Sequence, residues 1–271
     1  MRAARWQLYL SILCIGFLCK APLRAQTKSS VQQTKSSAQK TAVIGPKNVS
    51  FQSGNETVHG VLYQPQGAGP FPAIIIIHEW WGLNDWVKQQ AKMFAEHGYV
   101  TLAVDLYRGQ VATDTETAHE LMRALPQDRG VMYLKSALAY LKTLKTVEPD
   151  RIGADGWCMG GSFAMQFAVA APSLRAVAIN YGAPETDPAQ LKKIHAAILG
   201  NFGALDRGIT PEDVKNFAAE MKEIGHPVDV KEYADAGHAF ENPTNKSGYR
   251  AVDTEDADRR MFIFFSRTLQ H

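Results

Sequence analysis

Cysteine is scarce in this sequence: its 271 residues carry three, Cys14, Cys19 and Cys158. The first two fall in an N-terminal stretch that reads as a secretory signal. Arg2 and Arg5 precede an apolar run from Trp6 to Cys19, followed by Pro22 and a cleavage site after Ala25. The expected mature chain, exported to a periplasm or to the medium, keeps Cys158 alone and so has no partner for an internal disulfide. Long apolar runs are missing too. The leader run is shorter than a membrane span, and no stable membrane insertion is expected once the signal is cut. A large charge of one sign is also lacking. The formal net charge is +2, and it becomes −2 when Arg2, Arg5, Lys20 and Arg24 leave with the signal. That leaves no electrostatic footprint for a nucleic acid or an anionic membrane. Eight histidines occur without an H-E-x-x-H or similar constellation, and the glycine-rich stretch 156–161 lacks the lysine of a phosphate loop. Neither a metal nor a cofactor is expected.

What is present divides into three pieces: a signal (1–25), a tether (26–46) and one folded domain (47–271). The tether is polar and low in complexity, with Gln-Thr-Lys-Ser-Ser at Gln26 and again at Gln33, and it lacks the apolar residues that offset ordering entropy. The domain opens with a hairpin signal, Val49 to Phe51 and Val58 to Tyr63 around Ser53-Gly54-Asn55-Glu56. Ala73 to His78 is an unbroken β-branched run suited to a strand buried on both faces. Strand and helix patterns then alternate to the end: a helix over 84–97, a strand over 99–104, helices over 115–124 and 130–143, strands over 174–181 and 196–202, a helix over 211–224, a strand over 228–233 and a last helix over 252–269. Such alternation implies an α/β fold with a mainly parallel, doubly wound sheet and helices on both faces. At 45% hydrophobic residues the chain can bury one large core, and it is expected to act as a monomer.

The chain is organised around Asp155-Gly156-Trp157-Cys158-Met159-Gly160-Gly161, between a strand-like run from Arg151 and a helical run through Ala171. A side chain flanked two residues either way by glycine has the spacing of a nucleophile elbow, with cysteine where serine is commoner. In so tight a turn a Cβ at either glycine would collide with the adjoining strand or helix. The following helix would aim its free N–H groups and positive dipole end at the sulfur, favouring thiolate and developing oxyanion alike. A buried, inert cysteine is the competing reading. The absence of any disulfide role weighs against it.

Ligands of such sheets bind beyond the carboxyl ends of the strands. Those ends carry His78 to Asn84, Asp105 to Gly109, Cys158, Tyr181 to Glu185, Gly203 to Ile209 and Asp235 to Asn242. Within them, Cys158, Asp206 and His238 follow one another in the chain order nucleophile, acid, histidine. Asp235, three residues before His238, competes for the role of acid.

These residues resemble the dienelactone hydrolase family of α/β-hydrolases. The resemblance rests on Gly156 to Gly161, Asp206 after Gly203-Ala204-Leu205, Gly237-His238-Ala239-Phe240, His78-Glu79-Trp80-Trp81-Gly82, Asp105-Leu106-Tyr107-Arg108 and Ser247-Gly248-Tyr249, and it spans about residues 48–269. It implies that Cys158 is the nucleophile, His238 the base and Asp206 its orienting acid. It implies further that Glu79 touches the cysteine in the resting enzyme, that Arg108 helps bind a substrate carboxylate, and that the backbone N–H groups of Met159 and Trp80 form the oxyanion hole. Glu79 and Arg108 could instead form only an ion pair between neighbouring loops. One departure is clear: the second carboxylate-binding arginine, four residues past the histidine, is Asn242 here. With Trp80 and Trp81 at the mouth, neutral short-chain or aryl esters are expected ahead of anionic lactones. The implied activity is hydrolysis of a small ester or lactone through a thioester acyl-enzyme. An acyltransferase or thioesterase with the same triad, or a non-catalytic binding protein on this fold, are the alternatives.

Overall fold

The computed structural model describes residues 40–271. The signal and most of the tether lie outside the described residues. In chain order the elements are β1 (Val43–Ser53), β2 (Glu56–Pro65), β3 (Phe71–Ile77), α1 (Asp85–Glu96), β4 (Val100–Val104), α2 (Thr115–Arg123), α3 (Gln127–Thr143), β5 (Val147–Trp157), α4 (Met159–Ala170), β6 (Ala176–Asn180), α5 (Pro188–Leu191), β7 (Ala197–Gly203), α6 (Pro211–Glu223), β8 (Asp229–Tyr233) and α7 (Ala251–Leu269). The eight strands form one sheet in the order β1-β2-β4-β3-β5-β6-β7-β8. The β1-β2 hairpin is antiparallel, as is the pairing of β2 with β4, and every pairing from β4 to β8 is parallel.

Period-two alternation explains why this sheet is covered on both sides. Ile75 and Ile77 of β3 point into a core built with Leu134 and Leu141 of α3 and Phe167 of α4. Ile74 and Ile76 point the other way, into a core with Phe94 of α1 and Met261 and Phe265 of α7. All four isoleucines are fully buried. A run with no polar face is what a central strand requires when both of its faces are dry.

The structure departs from the sequence expectation at the start of the domain and at two helices. The folded domain starts before residue 47: β1 begins at Val43, which pairs with Pro65, and Thr41 N–H donates to the Glu96 carbonyl at 2.8 Å. The end of the supposed tether is thus a strand, because Thr41 to Ile44 supplies enough β-forming, apolar character to extend the hairpin. Helix α3 starts at Gln127, three residues early, the low helix propensity of Gly130 having hidden its first turn. That glycine is needed, since a Cβ there would lie 2.3 Å from the Phe163 ring. The short helix α5 was not anticipated; four residues carry no periodicity to read. Among the described residues, no helix is long and apolar enough to cross a membrane.

A close backbone contact joins α4 to the sheet. A Cβ at Gly160 would lie 2.3 Å from the Ile77 carbonyl oxygen and 2.6 Å from that of His78. Both obstacles are backbone of a central strand and its exit, which cannot swing aside as a side chain can. Gly160→Ala is therefore expected to lift α4 from the sheet and cost at least about 1–3 kcal/mol, as overpacked cores do. Urea unfolding at neutral pH measures this, and an unchanged midpoint would contradict the stated packing.

Candidate active site

Strand β5 ends in Gly156 and Trp157, and Cys158 turns the chain into α4 with φ 55° and ψ −119°. A non-glycine residue in that region is strained and persists only where its surroundings over-determine it. Here they do. Cys158 N–H donates to the Asn180 carbonyl at 2.9 Å, its carbonyl accepts from Ser162 N–H at 3.1 Å, and a Cβ at Gly156 would sit 2.2 Å from the Gly160 carbonyl oxygen. The sulfur stands at the N-terminus of α4, where no side chain caps the free N–H groups.

His238 Nε2 lies 3.0 Å from Cys158 Sγ, and Nδ1 of the same ring lies 2.6 Å from Asp206 Oδ2. The other carboxylate oxygen, Oδ1, accepts from the N–H groups of Gly208 at 2.8 Å and Ile209 at 3.1 Å. Asp206 is the partner of the ring, and Asp235 instead offers its backbone carbonyl to Arg250 Nε at 2.9 Å. Burial pushes the Asp206 carboxyl up, yet the His238 hydrogen bond and charge together with the two backbone donors hold it below the usual range. Burial alone would push the His238 imidazole down; its hydrogen bonds to Asp206 and Cys158 and their charges outweigh this and raise it to about 10. The Asp206 carboxylate beside Nδ1 thus favours the protonated ring.

Glu79 lies beneath the site, 1% exposed. Its Oε2 accepts from Asn242 Nδ2 at 2.6 Å and its Oε1 from the Tyr181 hydroxyl at 3.4 Å. The expected resting contact between Glu79 and the cysteine is not made, because the thiol bonds to His238 and neutral donors occupy the carboxylate. Burial pushes Glu79 up to about 7 despite the opposing pull of Asn242, His238 and Tyr181. Asn242, 1% exposed, also accepts from Thr244 N–H and Oγ1, so it is a strut for Glu79 and not an open anchor.

Arg108 is a second correction. Its guanidinium pairs with Glu56 and with the Tyr133 hydroxyl, at the far side of the β4 exit, and it does not line the cavity around the thiol. Nor does it pair with Glu79. The cause is local: Asp105 accepts from Tyr107 N–H and Gly109 N–H, closing a turn in which Arg108 takes φ 55°. The cavity, of about 1060 Å³, instead brings together Glu79, Trp80, Trp81, Cys158, Met159, His238 and Asn242. Trp80 stacks edge to face on Trp81 at 5.0 Å and on His119 at 4.8 Å, forming one wall. No protein group of the described residues accepts from the N–H of Met159 or Trp80. Among the described residues, no group of three or more His, Cys, Asp or Glu is arranged to hold a metal ion.

Sequence reasoning missed three contributors. Tyr181, fully buried with φ 41°, bonds Glu79 and lays its ring edge-on to His238 at 5.3 Å. Asn245 Nδ2 donates to the carbonyls of His238 and Ala239, fixing the histidine loop. Lys246 is the one lysine or arginine lining the cavity among the described residues. A bulky residue at a parallel strand end was the available signal for Tyr181; the other two lie on an irregular loop with no periodicity.

A sequence model described as the dienelactone hydrolase family matches residues 58–269. The protein Usf of Aquifex pyrophilus is 29% identical over 228 residues, covering 82% of this chain and 98% of its own. A Methylorubrum extorquens protein, provisionally named a carboxymethylenebutenolidase, is 27% identical over 268 residues, covering 93% of this chain and 89% of its own. A solved structure from Klebsiella pneumoniae, provisionally titled a dienelactone hydrolase, superposes with a TM-score of 0.76 at 23% identity, covering 83% of this chain and 99% of that one. That last likeness is one of fold, the α/β-hydrolase fold.

The Glu79 environment makes native stability depend on pH. A carboxyl whose folded pKa is raised stabilises the native state while protonated, and that contribution is lost as pH rises from the unfolded value of 4.5 through about 7. Glu79→Gln keeps an acceptor for Asn242 and removes the titration. Wild type should therefore lose on the order of 3 kcal/mol relative to Glu79→Gln between about pH 4.5 and pH 8. Urea unfolding of both across that range measures the difference, and parallel curves would overturn the assignment.

Proposed function

The chain belongs to the dienelactone hydrolase family and is a hydrolase of ester or lactone bonds, and on that premise we propose that it works through Cys158 as a covalent nucleophile. The observation that carries this reading is the line from Cys158 Sγ through His238 to Asp206, at 3.0 Å and 2.6 Å. His238 takes the thiol proton, and the thiolate attacks the carbonyl carbon, forming the C–S bond. The N–H groups of Met159 and Trp80 receive the oxyanion, and the helix dipole of α4 acts in the same direction. As the tetrahedral intermediate collapses, the C–O bond breaks and imidazolium gives its proton to the leaving alkoxide. Water, deprotonated by His238, then attacks the thioester, releasing the acid and restoring the thiol. Asp206 fixes the ring so that Nε2 faces sulfur and stabilises the imidazolium. This chemistry needs no cofactor.

The substrate reading is a neutral ester. With Arg108 committed to Glu56 and Asn242 committed to Glu79, the cavity as lined by the described residues offers a carboxylate no guanidinium and only the Lys246 ammonium. Trp80 and Trp81 offer apolar contact in its place. Export follows from the leader sequence alone, and its compartment, periplasmic or extracellular, is part of the same proposal.

Two measurements test the roles. With p-nitrophenyl butyrate, intact mass under rapid acid quench should find an acyl adduct on wild type and none on Cys158→Ala, whose turnover should fall to the residue left by binding and oxyanion donors. An adduct on the alanine variant would end the assignment of Cys158. Asp206→Asn should lower kcat/KM by roughly 10⁴-fold, as an amide favours the wrong imidazole tautomer. Asp235→Asn should stay within about three-fold of wild type, being a surface change away from the ring. The reverse ranking would move the acid to Asp235.

A further inference from the structure

We propose that the ester's acyl part is an extended apolar chain, lying in a groove between α3 and α4 that continues the active-site cavity. This rests on the hydrolase reading above and names its substrate class. The cavity around Cys158 is about 1060 Å³, and a second of about 960 Å³ adjoins it, with Gln127 and Gln166 lining both. Together they far exceed what a small lactone fills, since roughly 300–1000 Å³ holds a drug-sized ligand. The second cavity runs between the two helices. Its lining includes Val131, Met132 and Ala139 of α3 and Val169 and Ala170 of α4, together with the charged Asp128, Lys135 and Glu185.

The direction of the substrate follows from the chemistry. The leaving alcohol must reach His238 Nε2, which protonates it, so it occupies the side walled by His238, Asn245 and Lys246. The acyl carbon is bonded to Cys158 Sγ, and the rest of the acyl group points away from His238, along α4, whose N-terminus carries the thiol. Ser162, Gln166 and then Val169 and Ala170 recur at helical spacing on one face, the first two in the cavity around the thiol and the last three in the groove. From Ser162 to Ala170 the helix rises about 12 Å, the distance an extended chain would follow along it. Phe163, Met122 and Leu125 cover the first part of that path with apolar side chains. A chain so placed loses water from each methylene.

The test is a series of p-nitrophenyl esters from acetate to octanoate. Wild-type kcat/KM should rise by roughly ten-fold or more from acetate to octanoate as successive methylenes are buried. Val169→Trp fills the groove, and the octanoate-to-acetate ratio should then fall at least about five-fold. Val131→Trp blocks the same groove from the α3 wall and gives the same readout should the first variant fold poorly. A wild type that prefers acetate, or a ratio unmoved in a folded tryptophan variant, overturns the proposal. No turnover of any ester by wild type would instead sink the hydrolase mechanism, so the two failures are distinguishable.

Discussion

Backbone packs directly on backbone where α4 crosses the ends of β3 and β5, and the geometry of the site depends on that approach. Gly156, Gly160 and Gly161 leave no room for a Cβ: the nearest carbonyl oxygens would lie 2.2, 2.3 and 2.9 Å away. Because the helix starts one residue after the strand ends, the connecting residue has to reverse the chain alone, and φ 55° at Cys158 is the result. The strain is offset by the burial of a whole helix, with Phe167, Ala164 and Ala168 fully enclosed. A strained single residue on a rigid support is held to one orientation, and that orientation sets the thiol 3.0 Å from His238 Nε2 at the start of its own helix.

A second close approach sets the distance between acid and base. A Cβ at Gly203 would meet the carbonyl oxygens of Ala236 and Gly237, each at 2.6 Å, so the exits of β7 and β8 touch through their backbones. Ala204 N–H donates to the Tyr233 carbonyl and Leu205 N–H to that of Ala236, stitching the two loops together. Asp206 and His238 ride on these stitched loops and meet at 2.6 Å. Among the described residues, the non-glycine residues of positive φ, Arg108, Cys158, Tyr181 and Ala239, all follow carboxyl ends of strands. Strain gathers on the edge that carries the site and not on the opposite edge.

How much of this could be read from the sequence depends on what kind of signal each feature leaves. The strand-helix alternation, the hairpin and the glycines flanking Cys158 are local patterns with one physical solution each, and the sheet and the elbow follow from them. The meeting of Cys158, Asp206 and His238 was legible from chain order, because a parallel sheet brings successive strand exits to one edge. Arg108 shows the limit. Its position after β4 was right, but direction depends on a turn made by Asp105 and on Glu56, 52 residues away on β2, and no spacing rule encodes that encounter. Glu79 failed in the same way: its place beneath the thiol was legible, its partners were not. Both of its donors, Tyr181 and Asn242, come from other strand exits.

The neighbourhood of Glu79 carries a further consequence. Glu241, Asp155 and Glu79 are all nearly or fully buried, and burial pushes each carboxyl upward; the partners they have are neutral, Trp157 Nε1, Asn180 Nδ2, and Asn242 with Tyr181. An arginine at residue 242 would hold Glu79 ionised beside the triad, whereas asparagine satisfies the same oxygen without supplying charge. Glu79 is thereby left able to exist in either protonation state near neutral pH, and its charge, when present, favours the imidazolium of His238. The neutral residue at 242 therefore does two things at once: it brings no cation to the cavity around the thiol, and it leaves the charge beside His238 to a buried carboxyl that titrates near neutral pH.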